Sequence, residues 1–159
     1  MDKRLYTLYL AGQISNDKKT YLWREKVREV FADNKNILII DPCCSEYNDE
    51  RVGQDLISFY KEKGHMLLPA KDRNYVNISN VIMFNMNIYT PEKPMVGTFY
   101  ELAWAFDKND TMCIGIYNGE PKDDFVCNHP FVKSTIAVWT KNEDEASELL
   151  LRYMDRPSY

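Results

Sequence analysis

Short, nearly unbroken apolar runs recur along this chain, each followed by a segment whose apolar residues return at helical spacing. The runs are Leu5–Leu10 (LYTLYL), Asn36–Ile40 (NILII), Val81–Met86 (VIMFNM), Met112–Tyr117 (MCIGIY) and Thr135–Trp139 (TIAVW). Between them, Lys18–Phe31 sets Trp23, Val27, Val30 and Phe31 on one stripe, and Thr98–Phe106 does the same for Phe99, Leu102, Ala103 and Phe106. Asp55–Lys63 and Lys71–Ser79 read as further helices, and Glu143–Met154 closes the series. Strands that are apolar along their whole length must be covered on both faces, and intervening amphipathic helices supply that cover. The expected fold is therefore α/β, with a flavodoxin-like, doubly wound, five-stranded parallel sheet. At 159 residues, with no repeat, low-complexity tract or Gly/Ser linker, a single domain over residues 1–159 is expected.

Charge and composition narrow the function classes. The 20 Lys and Arg against 24 Asp and Glu give a net charge of −4, which leaves no electrostatic footprint for a nucleic-acid polymer. No apolar run approaches the roughly 18 residues of a membrane helix, so no membrane partner is expected. The opening MDKRLYTLYL passes directly into a strand pattern without the features of a signal peptide, and a cytoplasmic location is the expectation. Cys43, Cys44, Cys113 and Cys127 form no C-x-x-C spacing, and His65 and His129 lack a paired ligand pattern. Reduced, mostly buried thiols are expected, with no metal and no organic cofactor.

In a doubly wound sheet, ligands bind beyond the carboxyl ends of the strands. Chemistry is therefore to be sought in Ala11–Ser15, Asp41–Tyr47, Asn85–Thr98 and Asn118–His129. In YLAGQIS, Tyr9 to Ser15, Gly12 lets the backbone turn tightly and approach a ligand, and Ser15 with nearby amides suits an anion. The segment is neither a Walker loop nor a G-x-G-x-x-G dinucleotide turn.

GTFYELAWA, Gly97 to Ala105, admits two readings. Thr98 and Glu101 have the spacing of a helix capping box. If Phe99, Leu102, Ala103 and Phe106 face the core, however, Glu101 turns away from it into the ligand cleft, where a carboxylate can attack carbon. Asp72 is similarly a helix N-cap or a second cleft carboxylate. Tyr9 is a core aromatic, or a hydroxyl serving one of those carboxylates. Two carboxylates and a tyrosine at one cleft suit the cleavage of a glycosidic bond.

Taken together, YLAGQIS, YLWR at Tyr21–Arg24, Asp72 followed by Ser79-Asn80 and an apolar strand, and GTFYELAWA resemble the nucleoside 2-deoxyribosyltransferase family. The resemblance extends to relatives that hydrolyse deoxynucleoside 5′-monophosphates, and runs from about Leu5 to Met154. It implies Glu101 as nucleophile on the anomeric carbon, Asp72 as the group handling the base and its proton, and Tyr9 as the residue orienting the nucleophile. It implies close approach of the sugar at Gly97, and Gln13 and Ser15 near the sugar or its 5′ end, where Lys18, Lys19 and Arg24 add positive charge. In relatives a neighbouring subunit completes the site, a role for which Asn128 and His129 are the candidates here. The chain departs from the family at Asn80, usually Asp, and at Met95, where some transferases have an Asp contacting the sugar.

The expected activity is cleavage of the N-glycosidic bond of a 2′-deoxynucleoside through a deoxyribosyl-Glu intermediate, with transfer to another nucleobase. The alternatives are hydrolysis of nucleoside 5′-monophosphates and, in another class, a non-catalytic nucleotide sensor. Tyr100 and Trp104, four residues apart and off the expected core stripe, form an apolar ridge that points to a homodimer or higher homo-oligomer.

Overall fold

A computed structural model describes residues 5–43 and 67–155. The expected helix over Asp55–Lys63 lies outside them, as do Cys44 and His65. Strands β1 (Tyr6–Gly12), β2 (Ile37–Ile40), β3 (Val81–Asn85), β4 (Met112–Ile116) and β5 (Val138–Thr140) form one sheet in the order β2-β1-β3-β4-β5. Every pairing is parallel. This is the flavodoxin-like order. The chain leaves β1 for β2 on one side and returns to β3 on the other, which puts the topological switch, and its crevice, beside β1.

Helices α1 (Lys19–Val30) and α5 (Glu143–Met154) cover one face, while α2 (Leu67–Ile78), α3 (Val96–Lys108) and α4 (Pro130–Thr135) cover the other. Alternation along β1 divides the two cores. Leu8 and Leu10 pack with Trp23, Val27, Ala146 and Leu150, whereas Tyr9 and Ala11 pack with Val76, Leu102, Ala105 and Val132. Cys43, Cys113 and Cys127 are buried free thiols. Burial pushes Cys43 up to about 11 and the other two to about 12, so all three stay protonated at neutral pH.

Several boundaries differ from the sequence reading. The helix around Asp72 is already formed at Leu67, the first described residue of that part of the chain, rather than starting at Lys71. TIAVW is split: Thr135 ends α4, which starts at Pro130 with its preset φ, and the strand is Val138–Thr140.

The largest correction concerns α3. Thr98, Glu101, Leu102 and Ala105 face the sheet, while Phe99, Ala103 and Phe106 are exposed. The wheel carries apolar side chains on both sides. The side with small residues lies against the strands, and Glu101 is tolerated there because Tyr9 bonds it.

Candidate active site

Tyr9 is the middle residue of β1, which runs on to Gly12 rather than ending at Leu10, and it is in register with Ile40 on one side and Ile82 on the other. Its hydroxyl donates to Glu101 Oε1 across 2.5 Å, a buried bond between the central sheet and α3. Helix α3 begins at Val96 with Met95 at its N-cap, so Glu101 sits in the second turn and is not the N3 partner of a capping box. Asp72 is likewise the sixth residue of α2 and not its cap. Neither carboxylate is spent on ending a helix.

The two carboxylates and the tyrosine share one low-dielectric setting. Burial pushes Glu101 up to about 8; the Tyr9 hydrogen bond opposes this, the negative charge of Asp72 adds to it, and Arg24 opposes it. Burial pushes the Tyr9 hydroxyl far up, reinforced by Glu101 and then Asp72, so it remains a donor. Asp72 is also raised by burial, with Lys71 pulling the other way. Its Oδ1 is buried and has no hydrogen-bond partner among the described residues. One turn of α2 packs beside this group: the Tyr75 ring lies 6.1 Å from that of Tyr9, and Lys71 Nζ lies 5.8 Å from the Tyr75 centroid. The fold thus brings Tyr9, Asp72 and Glu101 to one place. Among the described residues no cluster suits a metal ion, and no helix is long and apolar enough to cross a membrane.

The remaining candidates fall differently. Gly12 ends β1 opposite Asn85. Gln13 and Ser15 are buried, and their side chains bond within the protein, chiefly to the loop ahead of α3. Gly97 is exposed in the first turn of α3, and a Cβ there would meet nothing within 4 Å. Asn128 and His129 are exposed near the start of α4, where the His129 ring stacks on Phe131 at 5.7 Å. His129 borders a separate apolar groove of about 640 Å³, lined by Phe99, Phe106, Phe125 and Phe131 among others. Within one chain, then, His129 belongs to the groove, and Asn128 is an exposed neighbour that does not line it.

Arg24 is buried beneath the β1 turn, not open to a phosphate. Its guanidinium donates to the carbonyls of Gly12 (3.1 Å), Gln13 (3.4 Å) and Thr20, and pairs with Asp41 at 3.6 Å. At Asn80, one of the departures from the resemblance noted above, Oδ1 accepts from Thr7 N–H at 3.0 Å. An amide provides that acceptor as well as a carboxylate would. The sequence reading missed the groove, although Phe125 and the His129-Pro130-Phe131 segment were its visible signs.

The fold and site define a flavodoxin-like α/β protein with a buried tyrosine–carboxylate pair at the switch crevice. Among solved structures, the chain is similar to a conserved protein from Enterococcus faecalis V583, with TM-score 0.58 and 13% identity over 94% of this chain and 99% of that one. It is also similar to an NADH:FMN oxidoreductase in its apo form, with TM-score 0.51 and 9% identity over 94% of this chain and 87% of the other. At these identities the likeness is one of fold. No protein-family model matches the chain, and no curated protein matches its sequence.

Proposed function

We propose that the protein cleaves the N-glycosidic bond of a 2′-deoxynucleoside in the cytoplasm and transfers the sugar to a second nucleobase. The observation that carries this reading is the 2.5 Å buried bond from Tyr9 to Glu101, close to an Asp72 carboxylate whose Oδ1 has no hydrogen-bond partner among the described residues. Tyr9 holds Oε1, which leaves Oε2 to attack the anomeric carbon. As the carbon–nitrogen bond breaks, positive charge grows on the sugar and favours the ionised Glu101. Asp72, whose carboxyl burial raises above its ordinary value, gives its proton to the departing base. A carbon–oxygen bond to Glu101 replaces the carbon–nitrogen bond. In the second step the incoming base attacks the same carbon, returns its proton to Asp72 and frees the Glu101 carboxylate.

The test is release of free base from deoxynucleosides and from their 5′-monophosphates, with and without an acceptor base. Exchange that depends on the acceptor supports transfer. Release that ignores it makes the enzyme a hydrolase, and no release from any substrate refutes the reading.

The proposed enzyme acts as a symmetric homodimer through the face of α3 turned away from the sheet. Phe99, Tyr100, Phe106, Phe125 and Phe131 are all exposed there, the last two by 87% and 80%. Covering these five side chains removes on the order of 600 Å² per protomer, most of the roughly 800 Å² that a standard interface buries on each side. A second copy presents the same surface, as a two-fold contact requires.

A further inference from the structure

A glutamine side chain has two N–H donors and an acceptor oxygen with two lone pairs, and Gln13 uses all of them on one short turn. Its Nε2 donates to the carbonyl oxygens of Thr90 at 2.8 Å and Lys93 at 2.7 Å. Its Oε1 accepts the N–H groups of Tyr89 and Thr90, both at 2.9 Å. Thr90-Pro91-Glu92-Lys93 is itself a β-turn, closed by Lys93 N–H on Thr90 O at 3.0 Å, with proline at its second position. The carboxamide therefore grips both ends of the turn. Ser15 adds a second tie, its hydroxyl 2.7 Å from that of Thr90.

The clamp has a fixed anchor and a consequential load. On the anchor side, Gly12 is locked into the sheet opposite Asn85, and Arg24 holds the carbonyls of Gly12 and Gln13. On the load side, the gripped turn ends only a short step before α3, the helix that carries Glu101.

We infer that Gln13 is a positioning residue: by fixing the turn ahead of α3, it sets the aim of Glu101 against Tyr9 and does not itself bind substrate. The consequence for turnover rests on the reaction proposed above, whereas the clamp and its effect on Glu101 stand without it. Glutamine is specifically required. An ionised glutamate would set its oxygens against the Thr90 and Lys93 carbonyls, and an asparagine, one methylene shorter, would reach only one end of the turn.

The test uses Gln13→Ala and Gln13→Glu, with Gln13→Asn as a milder variant should either fail to fold. Three quantities are read: amide exchange at Tyr89 and Thr90, the Glu101 titration midpoint by carbon-13 NMR, and base release. Exchange at the two amides should rise about tenfold or more as the local opening free energy falls. The Glu101 midpoint should move by about half a pH unit or more as its distance from Tyr9 changes. Where the wild type releases base, kcat should fall about tenfold or more with KM nearly unchanged. Unchanged exchange overturns the clamp. Faster exchange with an unmoved Glu101 midpoint overturns the positioning role and leaves a merely structural tie. A wild type that releases no base refutes the proposed reaction, while the first two readouts still decide the role of Gln13.

Discussion

The hydroxyl of Tyr9 and the carboxylate of Glu101 are hydrogen-bonded at 2.5 Å although 92 residues separate them in the chain. The bond ties β1 to α3 and leaves one carboxylate oxygen without that donor. A buried carboxylate with a single strong donor is held between two protonation states. Burial favours the acid, and the hydroxyl favours the ion. That balance makes the site sensitive to the charge of whatever enters it.

Replacing Glu101 by Gln should abolish base release and also change how stability depends on pH. In the folded protein the carboxyl is raised from 4.5 to about 8, so between those values the folded state binds more protons than the unfolded. This group therefore costs increasing stability as pH rises through that window. The variant lacks the cost, and its stability relative to wild type should grow by on the order of 5 kcal/mol from pH 4 to pH 9, at about 1.4 kcal/mol per pKa unit. Urea unfolding of both proteins across that range measures it. Parallel curves would show that Glu101 is not raised.

Tyr9→Phe removes the donor while keeping the ring, and the loss should push the Glu101 midpoint above about 8. In the wild type, kcat/KM should rise with pH through that midpoint, because the free enzyme needs the carboxylate. The variant should show the same limb displaced to higher pH, with lower activity at pH 7. A limb that stays put, or moves down, would remove Tyr9 from the ionisation of Glu101.

Gly97→Ala separates packing from ligand approach. The added methyl meets nothing within 4 Å among the described residues, and φ there is not positive, so those residues do not demand glycine. Thermal stability should hold or rise slightly, since alanine is favoured over glycine in helices by roughly 0.5–1 kcal/mol. If the sugar lies against this backbone, KM should rise about tenfold or more. A normal KM would mean that the substrate does not approach there.

Phe131→Glu should dissociate the dimer, because it puts a charge at the centre of the exposed aromatic face. Sedimentation equilibrium at micromolar concentration should give a dimer for wild type and 18.8 kDa for the variant. A wild type that sediments as a monomer refutes the assembly.

The strands were legible in the sequence wherever burial on both faces made them apolar throughout, as in VIMFN of β3. The limits of α5, Glu143–Met154, were legible from its acidic start and regular stripe. The turn of α3 about its axis was not, because Phe99 and Phe106 look like core residues on any wheel. Only the long-range bond from Tyr9 shows that the carboxylate side faces inward. Tyr9, Asp72 and Glu101 were named from local motifs and come together in space. The clamp made by Gln13 was not legible for a related reason. Its contacts lie 76 to 80 residues away, and nothing near it in the chain indicates that its amide is fully occupied.

The separation of Tyr9 from Glu101 also has a consequence for the nascent chain. At about 5–20 residues per second, synthesis delivers the carboxylate roughly 5–20 s after the hydroxyl. The first strand waits most of that time for its neighbour β3 and all of it for α3 to cover it, with Leu8 and Leu10 exposed on one side and Tyr9 on the other. During that interval the ribosome-bound chain has an open, apolar strand edge, the form in which a parallel sheet is most prone to pair with the wrong chain. Codon usage ahead of Val81 and access to a holding chaperone should therefore govern the yield of folded protein more than any single contact in the finished site.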